Sequence, residues 1–249
     1  AGEFVTVDLI RDRIELAAVD SSVNVAPNGT KVGYIRLKQF NANAAKDMRN
    51  AITELSGEGV SGFVLDLRSN PGGLLMASVE IARQWLDDGV IVSSSTRDGV
   101  SDVKRASGRA LTQAPLVVLV NEGSASASEI LSGAIQDNNR GVVVGKKTFG
   151  KGLIQSVRGL SDGSGMTVTI AKYLTPSGKD IHKLGITPDV NANLSKAQAQ
   201  RLKFEDLGTR KDPQYRVAES ELSKLLRQSN AKPEVSFDGD VQLDVFSAN

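Results

Sequence analysis

Apolar residues follow two kinds of pattern along the chain, one typical of strands and one typical of helices. Short apolar runs bounded by turn residues are typical of buried strands, and alternating runs are typical of half-buried ones. Such strands are predicted at residues 4–11, 32–37, 62–67, 115–120, 142–144, 153–157 and 166–174. A weaker alternation at 235–245 predicts a further edge strand.

Apolar residues spaced three and four apart predict helices between several of these strands. One helix is capped by Asn41 or Asn43 and ends near Gly57. Others follow the turn at 69–73 and the small-residue run at 123–128. Beyond Pro188 the composition changes, and surface helices are predicted at 195–204 and 212–228, the second with Asp212 as its cap.

Two strand–turn–helix units follow the same plan, one through the turn at 69–73 and one through the turn at 121–128. Two such units predict a βαβ-type core in which both turns meet at one edge of the sheet, the usual place for a site. The polar, glycine-punctuated stretch at 93–110 predicts an exposed hairpin or mobile loop.

Composition and charge exclude several classes of protein. The 249 residues are 40% hydrophobic and 24% charged, an ordinary globular balance. The formal net charge of +1 and the absence of a clustered basic face argue against a nucleic-acid partner. No charged-then-apolar leader begins the chain, which predicts a mature form or a chain that is not exported. The absence of cysteine excludes disulfides and cysteine–metal sites.

The turn at 123–128 is a favourable place for a nucleophile, because N–H groups at a helix start are unpaired and the helix dipole favours negative charge there. A serine needs a base to take its proton. The base is either His182, which is the chain's one histidine, or a lysine held neutral by burial. Lys151 fits the second choice, because the apolar pair Leu153 and Ile154 follows it closely.

The stretch at 145–151 also matches the phosphate-binding loop G-x-x-x-x-G-K. The next residue is Gly152, where a serine or threonine would have to hold magnesium, and a strand pattern follows instead of a helix. A nucleotide site is therefore rejected.

Three motifs together resemble the C-terminal processing (tail-specific) peptidases, over about residues 1–192. They are SASASEI at 124–130, DLRSNPGG at 66–73 and FGKG at 149–152. The resemblance implies that Ser126 is the nucleophile, that Lys151 is the general base and that Gln155 orients the lysine. Ser124 and Ser128 are rivals that geometry must decide between, and the resemblance gives His182 a structural place.

The resemblance also implies that the N–H groups of Gly72 and Ala127 stabilise a tetrahedral oxyanion. Asp66 and Arg68 are predicted to be supporting residues with a structural role. Asp137 matches an acidic position of the family, although an aspartate at a helix end is usually solvated.

The fold implied is mixed α/β (α+β), with a βαβ-type, crotonase/ClpP-like protease core, additional β-strands and C-terminal helices. Residues 1–20 resemble the last strand of a PDZ domain, residues 21–192 form the catalytic core, and residues 193–249 form a helical extension packed on it. Only about 20 residues precede the core, so the resemblance implies a chain without most of that PDZ domain.

The function implied is a serine endopeptidase that cleaves proteins near their C-terminus without metal, nucleotide or other cofactor. Its substrate would be a protein or peptide with a free C-terminal tail, and the precursor of the photosystem II reaction centre is one candidate. The cellular location implied for the exported protein is the periplasm or the thylakoid lumen. There it would associate peripherally with membrane-embedded substrates. The alternative is a non-catalytic peptide-binding or scaffolding protein that retains the fold.

Overall fold

The structure is a computed structural model that describes residues 17–230. The strands within that range are β1 (Val19–Val25), β2 (Lys31–Leu37), β3 (Gly62–Asp66), β4 (Val90–Thr96), β5 (Gly99–Arg105), β6 (Leu116–Val120), β7 (Val142–Gly145), β8 (Leu153–Gly159), β9 (Gly165–Leu174) and β10 (Val190–Asn191). The helices are α1 (Ala44–Gly57), α2 (Leu75–Trp85), α3 (Ala127–Asp137), α4 (Lys196–Arg201) and α5 (Pro213–Asn230).

The larger sheet has six strands in the order β1-β2-β3-β6-β7-β10. Strands β2, β3, β6, β7 and β10 are parallel, and β1 pairs with β2 in the antiparallel sense. Helix α1 connects β2 to β3, and α3 connects β6 to β7, which are βαβ crossovers. The predicted mixed α/β fold with a βαβ-type core is confirmed.

The central strands are apolar on both faces, as their continuous runs predict. In β3, Phe63 and Leu65 lie in the core formed with α1, α2 and α3, whereas Val64 lies in a second core formed with α5. Phe63 contacts Trp85 of α2 edge to face, with ring centroids 5.3 Å apart. Each fully buried large side chain contributes about 1.5–3 kcal/mol. The carboxyl ends of the strands are therefore set in a rigid three-layer framework.

The smaller sheet is antiparallel, in the order β5-β4-β9-β8. Its β4–β5 pair is the hairpin that the polar stretch at 93–110 predicts. The last strand, β8, lies at an edge, and its partner β9 is exposed along most of its length. Because β8 begins just after Lys151, this edge determines the surroundings of the predicted base.

Predictions for the chain ends have mixed outcomes. Asp212 caps α5 as predicted, because its Oδ1 accepts the N–H groups of Gln214 (2.9 Å) and Tyr215 (3.3 Å). The helix predicted at 195–204 is shorter: α4 is followed by a 3-10 turn at Phe204–Asp206. The strands predicted at 4–11 and 235–245 lie outside the described residues. No helix in the described range combines the length and apolar character needed to cross a membrane.

Arg68 joins the end of β3 to the start of α5. Its guanidinium Nη2 lies 2.5 Å from Asp66 Oδ2 and 2.6 Å from Asp212 Oδ2, and all three side chains are 5% exposed or less. Burial alone would raise the pKa of Asp66, but the charge and hydrogen bonds of Arg68 outweigh it and hold that pKa below its usual range. The first turn of the site loop therefore rests on a buried ionic cluster.

Asp212→Asn is expected to lower the free energy of unfolding by about 3 kcal/mol, because it leaves the buried Arg68 with a single carboxylate. Asparagine remains a good helix cap, so the decrease in the free energy of unfolding measures the loss of the carboxylate charge and not the loss of the cap. Urea unfolding measures it, with the exposed Asp98→Asn as control. A change below about 1 kcal/mol would show that the cluster adds little to stability.

Candidate active site

The loops after β3 and β6 meet at the carboxyl edge of the larger sheet, as predicted. The side-chain oxygen of Asn121 accepts the N–H groups of Ser69 (2.8 Å) and Gly123 (3.0 Å). The carbonyl of Asn70 accepts the N–H of Ala125 at 3.0 Å. These bonds hold the SNPGG and SASAS segments against each other.

The structure separates the three serines of the SASAS segment. The Ser124 hydroxyl donates to the carbonyl of Leu67 (2.8 Å), and the Ser128 hydroxyl donates to the carbonyl of Asn70 (2.9 Å). Both of these serines are fully buried, whereas Ser126 is half-buried at the start of α3. Ser124 and Ser128 therefore join the two loops, and Ser126 is the serine that reaches the surface.

Ser126 has an unusual backbone, with φ 56° and ψ −113°. Residues other than glycine rarely adopt a positive φ, and such strain persists only where the surroundings fix it. The neighbouring Gly72 is part of those surroundings: a Cβ there would lie 2.8 Å from the Cβ of Ser126 and 2.7 Å from the carbonyl oxygen of Ala125. Only glycine allows the two loops to approach this closely.

The two N–H groups predicted to bind the oxyanion differ in their hydrogen bonding in this structure. Ala127 is the first residue of α3, and its N–H has no acceptor among the described residues. The N–H of Gly72, by contrast, donates to the side-chain oxygen of the buried Asn70 at 2.9 Å. A substrate oxygen would have to share or replace that bond. The roles of both N–H groups stay predictions.

The glycines on either side of Lys151 place it against the segment at 181–183. A Cβ on Gly150 would lie 3.0 Å from the backbone of Lys183, and a Cβ on Gly152 would collide with the N–H of His182. The carbonyl of Gly150 also accepts the N–H of Lys183 at 2.9 Å. The backbone of Lys151 is therefore fixed by close packing that larger residues would prevent.

The side chain of Lys151 is exposed, so the expected apolar enclosure by Leu153 and Ile154 is not formed by the described residues. The reason is the edge position of β8, which leaves one side of this segment uncovered. Gln155 is also exposed, and no hydrogen bond joins its side chain to Lys151 within residues 17–230. The roles of Lys151 and Gln155 stay predictions.

Sequence reasoning overlooked Glu129, which is fully buried in the first turn of α3. Its Oε2 accepts the N–H of Ser126 and the N–H of Lys151, both at 2.8 Å. Its Oε1 accepts the hydroxyl of Thr148 (2.6 Å) and the N–H of Gly150 (2.7 Å). One carboxylate thus connects the loops that carry the predicted nucleophile and the predicted base. The spacing S-x-x-E of a helix capping box was the signal that could have found it.

Comparison with known proteins places this arrangement in a family. The family model described as Peptidase family S41 matches residues 31–192. The chain belongs to peptidase family S41. The match includes every predicted site residue and confirms the resemblance to the C-terminal processing peptidases.

Members of the S41 family with curated names are close in sequence. The carboxyl-terminal-processing protease of Synechocystis sp. is 50% identical over 210 residues, which cover 84% of this chain and 48% of that protein. The chloroplastic carboxyl-terminal-processing peptidase 3 of Arabidopsis thaliana is 50% identical over 190 residues, covering 74% of this chain and 37% of that protein. The chain spans about half the length of such relatives, or less.

Solved structures agree with this assignment. The photosystem II D1 C-terminal processing protease is 45% identical, with a TM-score of 0.67 over 72% of this chain and 49% of that one. An S41 protease structure from Bacteroides fragilis has a TM-score of 0.69 over 86% of this chain and 60% of that one, at 20% identity, and shows the shared fold.

The predicted supporting residues of the S41 core lie around the site rather than in it. Asp66 and Arg68 form the ionic cluster below the SNPGG loop. Asp137, at the end of α3, accepts the N–H of Ser177 at 2.9 Å. Burial alone would raise the pKa of Asp137, but hydrogen bonds from Thr175 and Ser177 outweigh it and hold that pKa below its usual range. Asp137 therefore fixes a turn.

His182→Ala is expected to leave the rate of peptide hydrolysis within about tenfold of the parent, because a Ser–Lys mechanism does not use imidazole as its base. The backbone of His182 packs on Gly152, and its ring Nδ1 is buried without a hydrogen-bond partner among the described residues. Steady-state kinetics with a fluorogenic peptide measure the effect. A loss of about three orders of magnitude in a folded variant would move the chemistry to a histidine triad.

Proposed function

We propose that this chain contains the catalytic core of a serine endopeptidase that cleaves proteins near their C-terminus. The observation that carries the proposal is the position of Ser126, half-buried and strained at the start of α3, beside the N–H of Ala127, which has no acceptor within residues 17–230. A nucleophile and an oxyanion donor are thus adjacent at the positive end of a helix dipole. The names of the S41 relatives support the reaction and its C-terminal specificity.

In the proposed mechanism, the Oγ of Ser126 attacks the scissile carbonyl while Lys151 takes the serine proton. The lysine then gives that proton to the leaving amine, and water hydrolyses the acyl-enzyme. The N–H groups of Ala127 and Gly72 stabilise the oxyanion, so Gly72 must turn from Asn70 toward the substrate. Gln155 orients Lys151, and a bound peptide shields the lysine side chain from solvent.

The proposed substrates are proteins with a free C-terminal tail. One relative of known structure is named for photosystem II D1, so the precursor of that reaction-centre protein is a candidate substrate here. Several of the relatives are chloroplastic or cyanobacterial proteins, which supports a site of action in the thylakoid lumen or periplasm. Membrane-embedded substrates would then be met by peripheral association.

Hydrolysis of an unstructured peptide tests the proposed function. We expect cleavage that a serine-reactive phosphonate stops and that EDTA changes by less than about twofold, because the mechanism takes its proton transfers from a lysine. Two peptides that differ only in a free or amidated C-terminus report whether residues 1–249 select a tail. Mass spectrometry locates the cleaved bonds. Loss of cleavage in EDTA, or no cleavage of any peptide by the folded chain, would contradict the proposal.

A further inference from the structure

We propose that a basic pocket at the far end of α2 binds the free C-terminal carboxylate of the substrate. This arginine pocket has a volume of about 370 Å³ and lies between α1, α2 and the segment that follows β5. The inference rests on the proposed function, because it names the part of the core that binds the substrate tail. The residues that line the pocket are Arg49, Glu80, Arg83, Gln84, Ser107 and Arg109.

The charge of the arginine pocket favours an anion. Arg83 is held in place, because its Nη1 lies 2.6 Å from Glu80 Oε1 and its Nε donates to the carbonyl of Arg105 at 3.0 Å. Arg49 and Arg109 are exposed, and neither forms an ion pair within residues 17–230. Three guanidinium groups therefore share the pocket with one carboxylate. A cleft with such an excess of one charge concentrates ligands of the opposite charge.

The arginine pocket also contains a buried acceptor that lacks a donor. Gln84 is 2% exposed, and its Nε2 donates to the carbonyl of Ala45 at 2.7 Å. Its Oε1 has no hydrogen-bond partner in the described part of the chain. A buried acceptor without a donor costs free energy, and a ligand that supplies an N–H removes that cost. The pocket therefore suits an anion that has a hydrogen-bond donor next to its charge.

A peptide C-terminus combines these two features. The two oxygens of its carboxylate match the forked donors of a guanidinium group. The N–H of the last peptide bond lies next to that carboxylate and is the donor that Gln84 lacks. Inorganic phosphate and sulfate match the arginines but bring no N–H. The proposed function presents a free carboxylate on every substrate tail, so the C-terminus is the ligand that fits both the pocket and the reaction.

Helix α2 connects the arginine pocket to the site. It begins at Leu75, just after the SNPGG loop, and reaches Arg83 eight residues later. At 1.5 Å per residue the two positions are about 12 Å apart. The exposed Met76 lies on the same helix face as Glu80 and Arg83, because the spacings are four and seven residues. A chain of about four extended residues spans that distance, so a tail can follow this face from the scissile bond to the pocket.

Binding of tail peptides to the Ser126→Ala chain tests the inference, because that variant binds a peptide without cleaving it. Fluorescence anisotropy compares a labelled peptide that has a free C-terminus with the same peptide amidated. We expect the free form to bind at least about fivefold more tightly, which corresponds to the upper range for an exposed ion pair. Adding Arg49→Gln and Arg109→Gln should remove this preference and leave the affinity for the amidated peptide within about twofold. Both arginines are exposed, so the fold should persist.

The matched control is Arg216→Gln, the same change at an exposed arginine of α5, which packs on the other face of the larger sheet. It should keep the preference for a free C-terminus. Equal affinities for the two peptides, or a preference that survives the loss of both pocket arginines, would overturn the proposal. Inorganic phosphate probes the other source of an anion: phosphate that binds the pocket of a chain indifferent to the peptide terminus would overturn it too.

Failure of the proposed function is distinguishable from failure of this inference. The first appears as a folded parent chain that hydrolyses no peptide. The second is measured on a chain that cannot hydrolyse peptides, and it leaves the activity of the parent unchanged.

Discussion

Ser126→Ala is expected to abolish peptidase activity and leave the fold intact. The variant removes the atom that forms the acyl-enzyme, and loss of a serine nucleophile costs about six orders of magnitude in kcat in a well-studied protease. The fold should persist because the side chain is half-buried and the N–H that residue 126 donates to Glu129 belongs to the backbone, which alanine keeps. Steady-state kinetics measure the loss, and thermal unfolding checks the fold.

The neighbouring serines are the matched controls. Ser124→Ala and Ser128→Ala each remove one buried hydrogen bond to a backbone carbonyl, which is worth about 1 kcal/mol of stability. Both variants should keep activity within about tenfold of the parent when they are folded. If either one loses all activity while Ser126→Ala keeps it, the nucleophile has been assigned to the wrong serine.

Lys151→Arg is expected to lower kcat by at least about three orders of magnitude. A base must be able to lose its own proton, and a guanidinium cannot do so in a protein. The side chain is exposed, so the variant should fold as the parent does. Lys147→Arg makes the same change at an exposed neighbour and should be close to parent activity.

Retention of a tenth of the parent kcat by Lys151→Arg would contradict the assignment. Lys151 would then act as a cation that binds substrate rather than as the base.

The framework of the site was predictable from local patterns. The run at 116–120 is continuously apolar, and the run at 62–67 is interrupted only by Asp66, which is typical of strands buried on both faces. Each is followed by glycine or serine and then by a helical repeat, so the meeting of the two turns followed from the geometry of parallel strands. The turns that carry Gly72 and Ser126 were therefore predicted to meet, whereas the roles of Gly72 and Ala127 as oxyanion donors came from the family resemblance alone.

The surroundings of Lys151 were not predictable in the same way. Two apolar neighbours indicated burial, but burial depends on which strand lies at the edge of the smaller sheet, and periodicity does not determine strand order. The four donors around Glu129 come from two loops that are distant in sequence, so only the capping-box spacing marked that residue. The pairing of Arg68 with Asp212 spans 144 residues and left no local signal.

Covalent labelling with a serine-reactive phosphonate tests the central claim most directly. The chain is incubated with the reagent and digested, and mass spectrometry locates the adduct. We expect a single adduct on Ser126, formed in parallel with loss of peptide hydrolysis and absent from Ser126→Ala. An adduct on Ser124 or Ser128, or no adduct on a folded chain that still hydrolyses peptides, would contradict a serine peptidase mechanism centred on Ser126.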